Sequence, residues 1–284
     1  AIINTIDDIY IDIPSSIDMI WKSLPMIGGS ESSKIESMEI INDSTTLYIN
    51  VVGNFSDNGT LILTDGTFGN FYTRSAISDN LEFSVNAVNV THDLEGGQAA
   101  IAQPTVSLDQ DGVYVRSDLR SPMVMITIKE DNDYSSLTSG KTIKLILPEG
   151  ILWPENATVF NNAYLTNASS EGRVLYFTVF QEFPVNHSVE LQGENFMFND
   201  YVKEDSVRLC VNNSDSITHV SARTLRVGQP ELQFINSANN YFVLNDEQVF
   251  LNEMYYKEID SVGVALASED IRIIISDTLG FIWD

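Results

Sequence analysis

An all-β chain made of tandem antiparallel sandwich units is what this sequence predicts, and three observations predict it. Apolar residues recur at every second position in short runs rich in β-branched side chains. Gly, Asn, Asp or Pro closes nearly every run. Helix signals, by contrast, are scarce across all 284 residues.

Along the chain, the first run is "DIYIDIP", with Ile9, Ile11 and Ile13 on one face and Tyr10 and Asp12 on the other. A lone strand is unstable, so this one must find an edge, in its own chain or in another. "SSIDMIWKSL" is the best helix candidate: Ser15 or Ser16 would cap it, and Ile17, Ile20, Trp21 and Leu24 form a stripe ended by Pro25 and Gly28-Gly29. "GGSESSKIES", 28–37, has the composition of a polar linker. Strand runs then follow at Leu47, Ile49 and Val51, at Val124, Ile126 and Ile128, at Ile143, Leu145 and Leu147, and at Ile271, Ile273 and Ile275. Turns are signalled at Asp57-Asn58-Gly59, Asp65-Gly66, Asp111-Gly112, Glu149-Gly150 and Glu171-Gly172. "DSVGVALASED", 260–270, is a second helix candidate weakened by Gly263.

Breaks in composition at 28–37, 95–104 and 227–234 divide the chain into an N-terminal arm (1–33), a small β domain (34–100), an immunoglobulin-like β-sandwich (101–229) and a small β-rich C-terminal domain with one candidate helix (230–284).

Charge bounds the function. Forty acidic against 15 basic residues give a net charge of −25, a field that repels nucleic acid and anionic membrane surfaces and attracts cations. No apolar stretch is long enough to span a membrane. A start at Ala1 fits a mature chain after signal cleavage. The single cysteine, Cys210, sits in a strand-like run and reads as a buried thiol. N-glycosylation sequons stand at Asn42, Asn54, Asn58, Asn89, Asn156, Asn167, Asn186 and Asn212, a mild excess that fits an extracellular glycoprotein.

Catalytic chemistry finds little footing. "GKT" at 140–142 would close a phosphate loop, but Ser135 stands where the first glycine is needed and a strand follows in place of a helix. His92, His187 and His219 lie far apart, without ligand spacing. No nucleophile elbow occurs, and no carboxylate pair stands out, so the chain reads as noncatalytic. Candidate calcium ligands are Asp109 and Asp111 in "SLDQDG" and Glu130, Asp131 and Asp133 in "KEDND". The alternative is solvated turn acids. Phe68, Phe71 and Tyr72, and the pair Tyr255-Tyr256, are either sugar-stacking aromatics or core.

Two stretches carry a family resemblance. "VMITIKEDNDYSSLTSGKTIKLILPEGILWP", with "GRVLYFTVF" and "THVSARTLRVG", resembles a module repeated in secreted cell-surface and S-layer-type proteins of Firmicutes, over about 123–227. "NYFVLNDEQVFLN" and "IDSVGVALASEDIRIIISDTLGFIWD" resemble, in degenerate form, the noncatalytic stalk domain named after the copper amine oxidase N-terminus. Leu279-Gly280 and Trp283-Asp284 match its end, and Leu244-Asn245-Asp246 stands at its turn; its proline-arginine pair is missing, with only Arg272 loosely comparable. The resemblance implies a surface role without oxidase chemistry. That domain continues past its Trp-Asp into a further strand. The expectation is therefore that Ile9, Ile11 and Ile13 of one copy complete the C-terminal domain of the next, giving a head-to-tail filament or surface layer, with a glycan- or cell-wall-binding adhesin as the alternative.

Overall fold

The computed structural model describes residue 3 and residues 8–86, 88–92, 97–116, 121–154, 163–192, 195–212, 216–234 and 253–258. Apart from one 3-10 turn at Ser32–Lys34, every regular element described is a strand. The chain forms two compact units, 1–103 and 104–284.

The first unit contains β1 (Ile9–Asp12), β2 (Ile20–Ser23), β3 (Met26–Gly28), β4 (Ile35–Ile41), β5 (Thr46–Val51), β6 (Ile62–Thr64), β7 (Thr67–Gly69), β8 (Glu82–Val85) and β9 (Val88–His92). Its main sheet runs β4-β5-β1-β8-β9, and the ribbons β2-β7 and β3-β6 accompany it. Alternation decides which face is buried: Leu47, Ile49 and Val51 of β5 and Ile9 of β1 enter one core with Ile13, Ile17, Met19 and Trp21.

Three expectations change here. Residues 1–33 are not a separate arm, because β1 pairs with β5 on one side (Ile9 opposite Ile49) and with β8 on the other (Ile9 opposite Val85). The candidate helix at 15–24 is a turn followed by β2. Ile17, Met19 and Trp21 are buried at every second position while Leu24 is exposed, so pairing of β2 with β7 overrides a stripe that also fits helical spacing. The polar stretch 28–37 is a folded corner. There the buried Glu31 carboxylate meets Lys34 at 2.5 Å, and its backbone N–H donates to the Thr60 carbonyl at 3.1 Å. The Lys34 ammonium holds the Glu31 carboxyl below the usual carboxylate range. A Cβ at Gly59 would lie 2.3 Å from Glu31 Oε1, so any larger residue there would push the Glu31 side chain aside.

The second unit contains β10 (Thr105–Leu108), β11 (Gly112–Val115), β12 (Ser121–Pro122), β13 (Ile126–Lys129), β14 (Thr142–Ile146), β15 (Ile151–Leu152), β16 (Leu165–Glu171), β17 (Val174–Val179), β18 (Ser188–Leu191), β19 (Asn195–Phe198), β20 (Val202–Val211), β21 (His219–Gly228), β22 (Pro230–Phe234) and β23 (Met254–Glu258). A six-stranded sheet, β11-β21-β20-β14-β17-β16, faces a three-stranded sheet, β10-β13-β18. The inward residues of both, among them Ile126, Ile128 and Leu191 on one side and Leu145, Phe177 and Leu209 on the other, share a single core. This is a β-sandwich, antiparallel except where β11 joins β21 in parallel. The corner at Pro148-Glu149-Gly150 carries Gly150 at φ 100°, and Trp153 returns to the core against Phe196, with ring centroids 5.7 Å apart. Gly140, the would-be phosphate-loop glycine, occupies a turn at φ 87° just before β14. A second three-stranded sheet, β12-β19-β15, and a two-stranded ribbon, β22-β23, complete the described elements. The helix expected at 260–270, the strand run at 271–275 and the residues matching the stalk domain from 240 to 252 and from 259 to 284 lie outside the described residues.

Candidate functional site

The assembly residues come first. β1 has a hydrogen-bonded strand on both sides, so its backbone offers no open edge. Ile9 and Ile13 are buried, and Ile11 packs against the same core. The expectation that these residues fit the C-terminal domain of a neighbour is corrected: their groove lies in the first unit, between β5 and β8. Tyr10 sits opposite Tyr48 across this junction, with ring centroids 5.3 Å apart.

The acidic candidates fall into two separate groups. Asp109 follows β10, where its N–H donates to the Met125 carbonyl; Glu130 follows Lys129, which pairs with Thr105 at the other end of the same ladder. Asp111 accepts the Thr224 N–H at 3.0 Å, and Arg223 donates to the Asp109 carbonyl. Glu130 is 1% exposed, and its lone pairs are engaged within the protein. Oε1 accepts from the Asp131 N–H and the Ser136 hydroxyl, each at 2.8 Å. Oε2 accepts from the N–H groups of Ser136 at 2.8 Å and Leu137 at 2.6 Å. Asp131 Oδ1 takes the N–H of Asp133 at 2.9 Å. A buried carboxylate with four donors is a clasp for the 131–137 loop. Among the described residues no cluster of three or more His, Cys, Asp or Glu side chains has a geometry able to hold a metal ion.

Five of the sequon asparagines, Asn42, Asn54, Asn58, Asn186 and Asn212, are exposed. Four of them hold left-handed backbone: Asn42 (φ 51°), Asn58 (φ 61°), Asn186 (φ 62°) and Asn212 (φ 64°). Asparagine tolerates this conformation at tight turns, so the fold itself accounts for these residues as well as a glycan would. Asn89 lies in β9 and Asn167 in β16; Asn156 is outside the described residues.

The aromatic candidates divide. Phe68 packs on Trp21 with ring centroids 4.4 Å apart, whereas Phe71 is 56% and Tyr72 82% exposed. Tyr255 is exposed on the β22-β23 ribbon and donates to Gln233, its cross-strand partner. His92 lies in β9, His187 precedes β18 and His219 opens β21. His219 accepts the Val106 N–H at Nδ1, 3.2 Å away, and burial pushes its pKa down. Tyr114 accepts the Val124 N–H at 3.1 Å, and burial raises its hydroxyl to about 12. Cys210 is buried and takes part in no disulfide.

One arrangement has no counterpart in the sequence reading. Tyr164 and His187 lie with ring centroids 4.2 Å apart, and Phe183 packs behind both at 5.1 and 5.6 Å. Beside them is a hollow of about 360 Å³, lined also by Ala163, Ser188, Val189 and Glu190. The sequon at Asn186 drew attention to this stretch for another reason; the meeting of 164 with 187 is a tertiary event that no local pattern announces.

No protein-family model matches the chain, and no curated protein matches it.

Proposed function

We propose that the chain is a noncatalytic structural protein of the extracellular surface whose copies join head to tail by exchanging β1. The observation that carries this reading is the place of Ile9–Asp12: this strand precedes every other strand of its unit, yet fills the middle of the five-stranded sheet. Lifting β1 out leaves β5 and β8 with facing unpaired edges and a gap one strand wide. The β1 of a neighbouring copy makes the same hydrogen bonds and buries the same isoleucines there. Exchange therefore loses no contact, and the short link from Ile13 to Met19, entered through Pro14, sets which groove is filled. When each copy gives its strand forward, the contact is heterologous and the chain of copies grows as a filament.

The surface setting rests on the five exposed sequon asparagines, on the acidic charge of −25, and on the resemblance to S-layer-type modules. The acidic surface holds free subunits apart until cations screen it. A second reading, a glycan-binding adhesin, is favoured by the neighbouring exposed rings of Phe71 and Tyr72. Negative-stain microscopy of the purified chain, with and without calcium, is the test. Filaments or sheets are the expected result; dispersed particles under both conditions would sink the assembly reading.

A further inference from the structure

We propose that the hollow beside Tyr164 and His187 is a binding site for a neutral sugar. Two of its lining residues, Tyr164 and His187, are aromatic and held in place. Phe183, fully buried, backs both rings. The backbone on each side is pinned as well: the Tyr164 carbonyl accepts the Phe180 N–H at 2.8 Å, and the His187 carbonyl accepts the Glu130 N–H at 2.8 Å. The Glu130 clasp thus bears directly on the residue that forms one wall. A ring system fixed before binding loses little conformational entropy when a ligand arrives.

The rim is polar, and the strand period sets its spacing. Ser188 and Glu190 are exposed on β18, while Val189 between them points into the core at 3% exposure. One hydroxyl and one carboxylate therefore project to the same side, about 7 Å apart along the strand. Across the ladder they face Lys129 and Thr127 of β13. Aromatic faces attract the C–H face of a sugar ring, and a carboxylate accepts hydrogen bonds from neighbouring hydroxyls. His187 adds a ring nitrogen donor and an acceptor. The hollow of about 360 Å³ is open to solvent, so a ligand would lie against it with one face exposed. Glu190 and the net charge of −25 disfavour an acidic sugar, so the ligand class is a neutral hexose or N-acetylhexosamine.

This site lies in the second unit and does not depend on exchange of β1. Sugar binding by dispersed chains would count against assembly alone, and filaments that bind no sugar would count against this site alone. The test is saturation-transfer NMR on the whole chain with methyl glucoside, methyl galactoside and N-acetylglucosamine at about 10 mM, beside N-acetylneuraminic acid and choline. The expected result is transfer to the ring C–H protons of at least one neutral sugar. Tyr164→Ala should abolish it, and Glu190→Gln should weaken binding about tenfold with an unchanged melting temperature. If Tyr164→Ala does not fold, Glu190→Gln decides, because that side chain is exposed. Absence of transfer to every neutral sugar, transfer undiminished by the substitutions, or stronger transfer to choline would each overturn the proposal.

Discussion

The two units put one sequence pattern to different uses. In the first, the middle strand of the main sheet is β1, held between two strands far along the chain. Its core is finished by side chains that stay partly buried, such as Phe55, Phe68 and Phe83. In the second, the six-stranded sheet is knitted by hairpins, β16-β17 and β20-β21, and Phe177, Phe183 and Phe196 are sealed from solvent. Period-two alternation builds both. What separates them is how the central strand is placed: β1 sits between strands far along the chain and has no hairpin partner, while β14 lies between the hairpins β16-β17 and β20-β21.

The contrast can be broken from either side. The largest effect should come from the sealed core: Phe177→Ala removes a ring at 2% exposure and should destabilise the second unit by about 3–5 kcal/mol. Denaturation followed by the fluorescence of Trp153 in a background with Trp21→Phe and Trp283→Phe would show it, and the first unit's transition, followed from Trp21 in a background with Trp153→Phe and Trp283→Phe, should stay in place. Ile9→Ala should cost the first unit about 2–5 kcal/mol, read from Trp21 in a background with Trp153→Phe and Trp283→Phe, with the second unit unmoved. A single merged transition in both experiments would mean that the units do not behave separately.

Smaller is the clasp. Glu130→Gln keeps the shape but replaces a fourfold acceptor with a group that must donate at one end. A loss of about 1–3 kcal/mol in the second unit is expected, with hydrogen exchange accelerated over 131–137. The smallest effect is electrostatic. Because burial lowers the His219 pKa, the unfolded chain takes up that proton first. The second unit should therefore hold its full stability above about pH 6.5 and lose some as pH falls from there toward the folded pKa, levelling off below it. Protonation at Nδ1 would also displace the Val106 N–H. His219→Gln should flatten that slope between pH 7.5 and 5.5.

These elements also mark what could be read without coordinates. Leu47, Ile49 and Val51, and Ile143, Leu145 and Leu147, all face the core as alternation says, because a half-buried strand writes its face into its own residues. The corner at Gly150 was legible for the same local reason. Ile17 to Leu24 misled because Ile17 and Trp21 satisfy helical and strand spacing at once, and only Met19 between them separates the two. The partners of β1 were hidden since backbone pairing requires no particular side chain. Glu130 read as a calcium ligand or a solvated turn acid, and its role as a clasp was hidden because its donors are mostly backbone amides, which every sequence supplies.

Exchange of β1 is tested most directly by mixing two single variants, Tyr10→Cys and Tyr48→Cys, at positions that are cross-strand partners. A disulfide between them can form only when the strand of one chain lies in the groove of the other. Assembly of the mixture followed by mild oxidation should give a covalent pair containing one of each variant on a non-reducing gel. Absence of that pair from the assembled mixture, while a chain carrying both cysteines closes an internal disulfide, would show that β1 stays at home and would contradict the account.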